Sequence, residues 1–124
     1  MSNQKTIVII EDEPHLQEEL TAAFVEAGFA VKNAYDGETV LELVRSLKPA
    51  VVLLDLILPK KDGFEVLKEL KAAAETHAIP VVVLSNLEMA KDVERVIGLG
   101  ATSYLVKPNY DVSHIVEKIR GLAG

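Results

Sequence analysis

The sequence predicts an α/β fold in which a parallel five-stranded sheet carries helices on both faces. Short apolar runs bounded by turn-forming residues recur along the chain, and such runs are typical of strands that are buried on both faces. The segments between them place apolar residues at the spacing of an amphipathic helix. Because strand and helix alternate with short connections, we expect right-handed crossovers between parallel strands.

Turn and cap residues set the predicted limits of each element. The strands are predicted at residues 5–10, 29–35, 50–55, 79–84 and 103–106. The helices are predicted at residues 14–27, 38–47, 62–74, 89–99 and from 112 onward. Pro14 suits the first turn of a helix, Gly28 suits the residue after one, and Asp62-Gly63 is typical of a helix start.

Composition limits the classes of function. The chain has 124 residues, which is enough for one domain, so we predict a single domain over 1–124, with a core of about 5–122 and no output domain in this chain. The formal charge of −6 argues against direct nucleic-acid binding. Cysteine is absent, which excludes disulfides and thiolate chemistry. Neither a signal region nor a membrane-spanning run is visible, so we expect a soluble, cytoplasmic protein.

Polar residues stand where the predicted strands end. Glu11 and Asp12 follow the first strand, Asp55 ends the third, Ser85 follows the fourth and Lys107 follows the fifth. The carboxyl ends of parallel strands meet at one edge of the sheet, where ligands bind in open α/β folds. We therefore expect these side chains to converge, although each taken alone is an ordinary strand-end or surface residue.

The predicted cluster indicates a metal-assisted phosphoryl transfer. Three carboxylates repel one another unless a divalent cation joins them, and hard oxygen ligands suit Mg²⁺, with Mn²⁺ as an alternative. A metal on Asp12 and Asp55 would orient Asp55 for in-line attack on a phosphoryl group. Lys107 would balance one phosphoryl oxygen and the Ser85 hydroxyl would donate a hydrogen bond to another.

Other polar residues are predicted to have no part in the chemistry. Glu13 is expected to belong to the charge cluster at the start of the first helix. His15, His77 and His114 lie on different elements without metal-ligand spacing, so we interpret them as surface or helix-end residues.

With these motifs in hand, the chain resembles the receiver domain of bacterial response regulators, the family of the single-domain chemotaxis regulator. The resemblance covers residues 7 to about 122 and rests on four motifs in order. They are Glu11-Asp12, Leu54-Asp55-Leu56 with Pro59-x-x-Asp62-Gly63, Ser85, and Lys107-Pro108.

The resemblance implies a flavodoxin-like fold with strand order 2-1-3-4-5. It implies that a histidine kinase or a phosphotransfer protein phosphorylates Asp55, in a switch that catalyses its own phosphorylation and dephosphorylation rather than a conventional enzyme. Asp12, Asp55 and the Ile57 carbonyl would ligate Mg²⁺ directly, and Glu11 would help through water. A cis peptide bond between Lys107 and Pro108 is also implied.

The resemblance further implies a conformational switch. The Ser85 hydroxyl would move toward the phosphoryl group and Tyr104 would rotate inward. This would alter the surface formed by the fourth helix, fifth strand and fifth helix, where a downstream protein binds. The protein would be a monomer or a phosphorylation-dependent dimer.

Two alternative functions and one further expectation follow from the sequence. A pseudo-receiver, which is an interaction module that accepts no phosphate, has the same fold. A flavodoxin-type cofactor binder also shares the topology, although acids after the first strand would repel a phosphate that lacks a metal. Finally, Ile57 and Leu87 would make the site entrance apolar, which predicts a long-lived phosphoryl group.

Overall fold

The computed structural model describes residues 4–86, 90–107 and 111–123. The strands are β1 Thr6–Ile10, β2 Ala30–Ala34, β3 Val51–Leu54, β4 Val81–Ser85 and β5 Ser103–Val106. The helices are α1 Pro14–Glu26, α2 Val40–Leu47, α3 Gly63–Ala72, α4 Ala90–Gly98 and α5 Val112–Ala123. The strands form one parallel sheet in the order β2-β1-β3-β4-β5, which confirms the predicted class and strand order.

Alternate residues of the central strands belong to two different hydrophobic cores. In β1, Val8 and Ile10 pack with α2, α3 and α4, whereas Ile7 and Ile9 pack with α1 and α5. Because each face of the sheet is covered by helices, consecutive residues of these strands are buried. This explains why the strands are apolar throughout rather than alternating, and why only their ends carry polar groups.

The predicted start and end of the first helix are confirmed. Pro14 is the first residue of α1, and the Glu13 carboxylate caps the helix by accepting hydrogen bonds from the backbone N–H groups of His15 and Leu16, at 3.0 and 2.7 Å. Gly28 follows the helix with a φ of +100°, a conformation that glycine adopts without strain. Glu13 therefore has the helix-start role expected from the sequence.

The second helix begins at Val40, not at residue 38. The Asp36 carboxylate accepts a hydrogen bond from the Glu38 N–H, at 2.9 Å, and this holds the preceding residues in an irregular turn. Gly37 in this turn lies against the loop after β3, where an added Cβ would come within 2.0 Å of the Lys61 carbonyl oxygen. Contact with a neighbouring loop therefore overrides the helical pattern of the sequence.

The third helix ends at Ala72, although the alanines that follow it have high helix propensity. Ala73 is extended, and the buried Thr76 hydroxyl donates to the Leu70 carbonyl, at 2.6 Å. This bond satisfies a carbonyl at the end of the helix and turns the chain toward β4.

Among the described residues, no helix has both the length and the apolar character needed to cross a membrane.

Candidate functional site

Asp55 lies directly after β3, at the carboxyl edge of the sheet. Its backbone N–H donates to the Ile10 carbonyl, at 2.9 Å, which continues the hydrogen bonding between β1 and β3 past the end of the strand. Its side chain is buried at the mouth of the sheet, and Oδ1 accepts from the Ile57 N–H, at 3.3 Å. The backbone of Asp55 is thus held by β1 and its Oδ1 by the Ile57 N–H, while Oδ2 accepts from Lys107 after β5.

Gly63 allows the start of α3 to approach the backbone of Asp55 closely. Its N–H donates to the Leu56 carbonyl, at 2.8 Å, and an added Cβ would lie 2.4 Å from the Asp55 carbonyl oxygen. The preceding Asp62 caps α3 by accepting from the Glu65 N–H, at 2.9 Å. The Asp-Gly pair therefore combines a helix cap with the close contact that sets the backbone position of Asp55.

Lys107 joins two of the carboxylates. Its Nζ lies 2.6 Å from Glu11 Oε1 and 3.2 Å from Asp55 Oδ2. The Lys107 side chain is 19% exposed, whereas Glu11 and Asp55 are almost fully buried. Charge-assisted hydrogen bonds of this kind are strong in a site with little water.

Glu11 is an unusual residue for a buried strand end. Oε1 accepts from Lys107, and Oε2 accepts from the Glu13 N–H, at 3.1 Å. Burial raises the pKa of Glu11 from 4.5 to about 7; the Lys107 hydrogen bond opposes the shift and the nearby charge of Asp55 adds to it. The carboxylate therefore binds a proton far more readily than an exposed glutamate.

The pKa of Lys107 is raised despite its partial burial. Burial acts to lower it, but the hydrogen bond to Glu11 and the charge of Asp55 outweigh this effect. Lys107 therefore remains a cation in the site, where it is available to balance an anion.

The acidic cluster of Glu11, Asp12 and Asp55 has the chemistry of a divalent-cation site. Each residue offers a carboxylate oxygen, and these oxygens lie within 4.8 Å of one another. When all are ionised, the three carboxylates and Lys107 leave two negative charges, which a divalent cation would neutralise. Hard oxygen donors with one exposed member, Asp12, suit Mg²⁺, which retains several waters. The residues therefore fit the predicted metal.

Ser85 and Tyr104 are hydrogen-bonded to each other, and the charge of Asp55 acts on Tyr104. Ser85 is fully buried at the end of β4, and Tyr104 is partly buried in β5 against the core on the α4 side of the sheet. Burial raises the pKa of Tyr104, against the effect of the Ser85 hydrogen bond. The two residues predicted to form the switch are thus in direct contact.

Comparison with known protein families identifies the family to which this chain belongs. The model of the family described as "Response regulator receiver domain" matches residues 7–120. The chain belongs to the response regulator receiver domain family. Receiver domains of this family belong to two-component response regulators, partner with histidine kinases or phosphotransfer proteins, and bind Mg²⁺ at an acidic pocket.

Individual relatives agree with this assignment. The chain is 36% identical over 116 residues to the "DNA-binding dual master transcriptional regulator RpaA" of Synechocystis, covering 94% of this chain and 48% of that protein. It is 36% identical over 102 residues to "Protein PilH" of Pseudomonas aeruginosa, covering 82% of this chain and 84% of that protein. The chain thus spans about half the length of RpaA but most of PilH.

A solved structure supports the same fold. The chemotaxis response regulator CheY4 of Vibrio cholerae superimposes with a TM-score of 0.89 at 20% identity, covering 97% of this chain and 99% of that one. Membership of the receiver family also argues against the flavodoxin-type cofactor binder that the topology alone left open.

The receiver domain brings together the predicted residues Glu11, Asp12, Asp55 and Lys107, with Ser85 nearby. Their roles remain predictions, as does metal ligation by the Ile57 carbonyl. Leu87 lies outside the described residues, and so does Pro108, with its predicted cis peptide bond to Lys107.

The histidines are surface residues, as predicted. His15 lies 3.4 Å from Glu19, and His114 lies 3.1 Å from Asp111. The His77 ring lies 3.0 Å from the Ala74 carbonyl. All three histidines are exposed.

Gln17 is the polar residue near the site that the sequence analysis missed. It is buried in α1, on the same face as Leu20 and Phe24. The signal was present, because Gln17, Leu20 and Phe24 follow the three- and four-residue spacing of an inward helix face. A neutral polar residue on that face indicates a buried hydrogen-bonding partner.

Proposed function

We propose that this receiver domain accepts a phosphoryl group on Asp55 in an Mg²⁺-dependent reaction. The observation that carries the proposal is the placement of Lys107, whose Nζ contacts both Asp55 Oδ2 and Glu11 Oε1. A cation shared by two carboxylates can move its hydrogen bonds to an incoming phosphoryl oxygen without leaving the site. The acidic cluster of Glu11, Asp12 and Asp55 would supply ligands for Mg²⁺.

The donor is a phosphohistidine of a histidine kinase or phosphotransfer protein, or a small acyl phosphate. An Asp55 carboxylate oxygen attacks phosphorus and forms the new P–O bond. In a phosphohistidine donor the P–N bond breaks, and its electron pair stays on the imidazole nitrogen, which takes up a proton from water. In an acyl phosphate the P–O bond to the acyl group breaks instead, and its electron pair leaves on the carboxylate oxygen. Catalysis in this site consists of positioning and charge balance rather than proton transfer by the protein.

The chain's own residues account for the positioning. Asp12, Asp55 and the Ile57 carbonyl would hold Mg²⁺ directly, with Glu11 acting through water. The bound ion would supply charge neutralisation for the phosphoryl oxygens. Lys107 would balance a second oxygen, and the Ser85 hydroxyl would donate to a third.

The hydrogen bond between Ser85 and Tyr104 supports a switch that follows this reaction. If Ser85 turns its hydroxyl to the phosphoryl group, its hydrogen bond to Tyr104 breaks and the Tyr104 ring can move inward. Phosphorylation would thus shift a population between two arrangements of the α4-β5-α5 surface, where a downstream protein would bind. Dimerisation of phosphorylated chains through the same surface fits this scheme.

Intact-mass measurement after incubation with Mg²⁺ and acetyl phosphate tests the proposal. We expect a phosphoryl-sized gain in the parent, its loss with a chelator, and no gain in Asp55→Asn. Asp62→Asn is the matched control, since Asp62 caps α3 and lies outside the acidic cluster. If the parent gains no mass although it binds Mg²⁺, the pseudo-receiver function replaces this proposal.

A further inference from the structure

Gln17 forms a buried polar junction beneath the turn that carries Glu11 and Asp12. Its side chain is 1% exposed. Nε2 lies 2.8 Å from the Ala34 carbonyl, 3.0 Å from the Ile9 carbonyl and 3.1 Å from the Glu11 carbonyl. Two amide hydrogens thus serve three acceptors, so that at least one hydrogen is shared.

The other side of the amide is fixed as well. Asn33 Nδ2 donates to Gln17 Oε1, at 2.5 Å, and to Thr21 Oγ1, at 2.9 Å. The Asn33 contact orients the Gln17 amide with its oxygen toward β2 and its nitrogen toward the ends of β1 and β2. Gln17 has no freedom to rotate without breaking several of these bonds.

The bonded carbonyls belong to the backbone that determines where the acidic turn begins. Ile9 lies in β1, Glu11 follows the strand, and Ala34 is the last residue of β2. The Ala34 carbonyl also accepts from the Glu11 N–H, at 3.0 Å. One side chain of α1 therefore ties the residue that bears the Glu11 carboxylate to both strands beside it.

We propose that Gln17 is a positioning residue that holds the turn after β1 so that Glu11 and Asp12 can share a divalent cation with Asp55. The proposal rests on the proposed function, since it assumes that the acidic cluster binds Mg²⁺. An apolar side chain of the same size would fill the space equally well. The amide adds direction, because it fixes the backbone on both sides of residue 10.

Gln17→Met separates positioning from packing, since methionine has a similar volume and no donor. The matched control is Thr76→Val, which removes another buried hydrogen bond, to Leu70, at the amino edge of the sheet. We would measure the Mg²⁺ dissociation constant by calorimetric titration, and thermal unfolding without metal, for both variants and the parent.

We expect Mg²⁺ binding about tenfold weaker in Gln17→Met, since outer partners of metal ligands affect affinity on this scale. Thr76→Val should bind Mg²⁺ within about twofold of the parent, although both variants lose stability. Equal Mg²⁺ affinity in Gln17→Met and the parent would overturn the positioning role alone. A parent that binds no Mg²⁺ would overturn this inference together with the proposed metal dependence. If Gln17→Met does not fold, Asn33→Ala on the edge strand β2 provides the test, because it removes the bond that orients the Gln17 amide. We expect weaker Mg²⁺ binding in this variant, and unchanged binding would overturn the proposal.

Discussion

Lys71 and Lys107 lie near opposite edges of the same sheet and meet different partners. Lys71 Nζ donates to the carbonyls of His77 and Ile79, at 3.1 and 2.8 Å, close to the start of β4. Lys107 Nζ contacts carboxylates at the other edge. Burial lowers the pKa of Lys71, whereas for Lys107 burial is outweighed by the acids and the pKa is raised.

The difference distinguishes the two edges of the sheet. The amino edge, with Lys71 and Thr76, is a structural edge, and the carboxyl edge, with Lys107 and the acidic cluster, is the reactive edge. At the amino edge, the polar groups of Lys71 and Thr76 are satisfied by neutral backbone carbonyls. At the carboxyl edge, carboxylates face one another and one lysine serves two of them. Buried like charges are unfavourable unless something compensates them, so this edge is arranged for a ligand rather than for stability.

The largest expected effect is that of replacing Lys107 by methionine, and the same replacement of Lys71 is its control. Lys107→Met should slow phosphorylation of Asp55 by acetyl phosphate by about 100-fold or more, the usual effect of removing one donor from a developing anion. Lys71→Met should leave the rate unchanged because its partners are carbonyls at the far edge. Time courses of intact mass measure the phosphorylation rate of each variant. Similar slowing in both variants would contradict the distinction between the two edges of the sheet.

A second pair of substitutions tests the close packing at the reactive edge. Gly63→Ala should reduce the free energy of unfolding by about 1–3 kcal/mol, because its Cβ would meet the Asp55 carbonyl and the Leu56 backbone. Gly121→Ala lies at an exposed position of α5, where the added Cβ meets nothing within 4 Å, and should increase stability by about 0.5–1 kcal/mol. Urea denaturation measures both, and a neutral Gly63→Ala would mean that the loop can move away from Asp55.

The third prediction concerns pH in the metal-free protein. Because the folded state raises the pKa of Glu11 from 4.5 to about 7, it binds more protons than the unfolded state in this interval. Stability should therefore fall by about 1–3 kcal/mol as the pH rises through this range. Comparing denaturation of the parent with Glu11→Gln isolates the effect, and identical pH profiles would show that Glu11 does not titrate in this way.

The smallest effect is expected at the entrance to the reactive edge. Ile57 is 59% exposed next to Asp55, where an apolar side chain would hinder the attacking water. Ile57→Asn should shorten the lifetime of the phosphoryl group several-fold, measured as the decay of phosphorylated mass after the donor is removed. The exposed Val25→Asn on α1 serves as the control. An unchanged lifetime in Ile57→Asn would show that the apolar side chain at the entrance does not prolong the life of the phosphoryl group.

Much of this arrangement was predictable because the strands carry a strong signal. A run such as 51–54 is apolar at every position, and its residues divide between two cores. The topology then brings the strand ends to one edge, so the meeting of Glu11, Asp55 and Lys107 follows from fold class and residue order.

The features that were missed depend on contacts that the pattern of apolar and polar residues does not show. The delayed start of α2 depends on Gly37 meeting the loop after β3, and the early end of α3 is accompanied by a hydroxyl bond to Leu70. Gln17 was overlooked because a polar residue does not disturb an otherwise amphipathic helix pattern. Its acceptors are backbone carbonyls, which the sequence of side chains does not reveal.

The most direct test of the account is to locate the phosphoryl group. The protein would be treated with acetyl phosphate with and without Mg²⁺, then with borohydride, which reduces an acyl phosphate, and the peptides would be analysed by mass spectrometry. The account predicts reduction at Asp55 that requires both acetyl phosphate and Mg²⁺. Modification at another residue, or at Asp55 to the same extent without Mg²⁺, would contradict it.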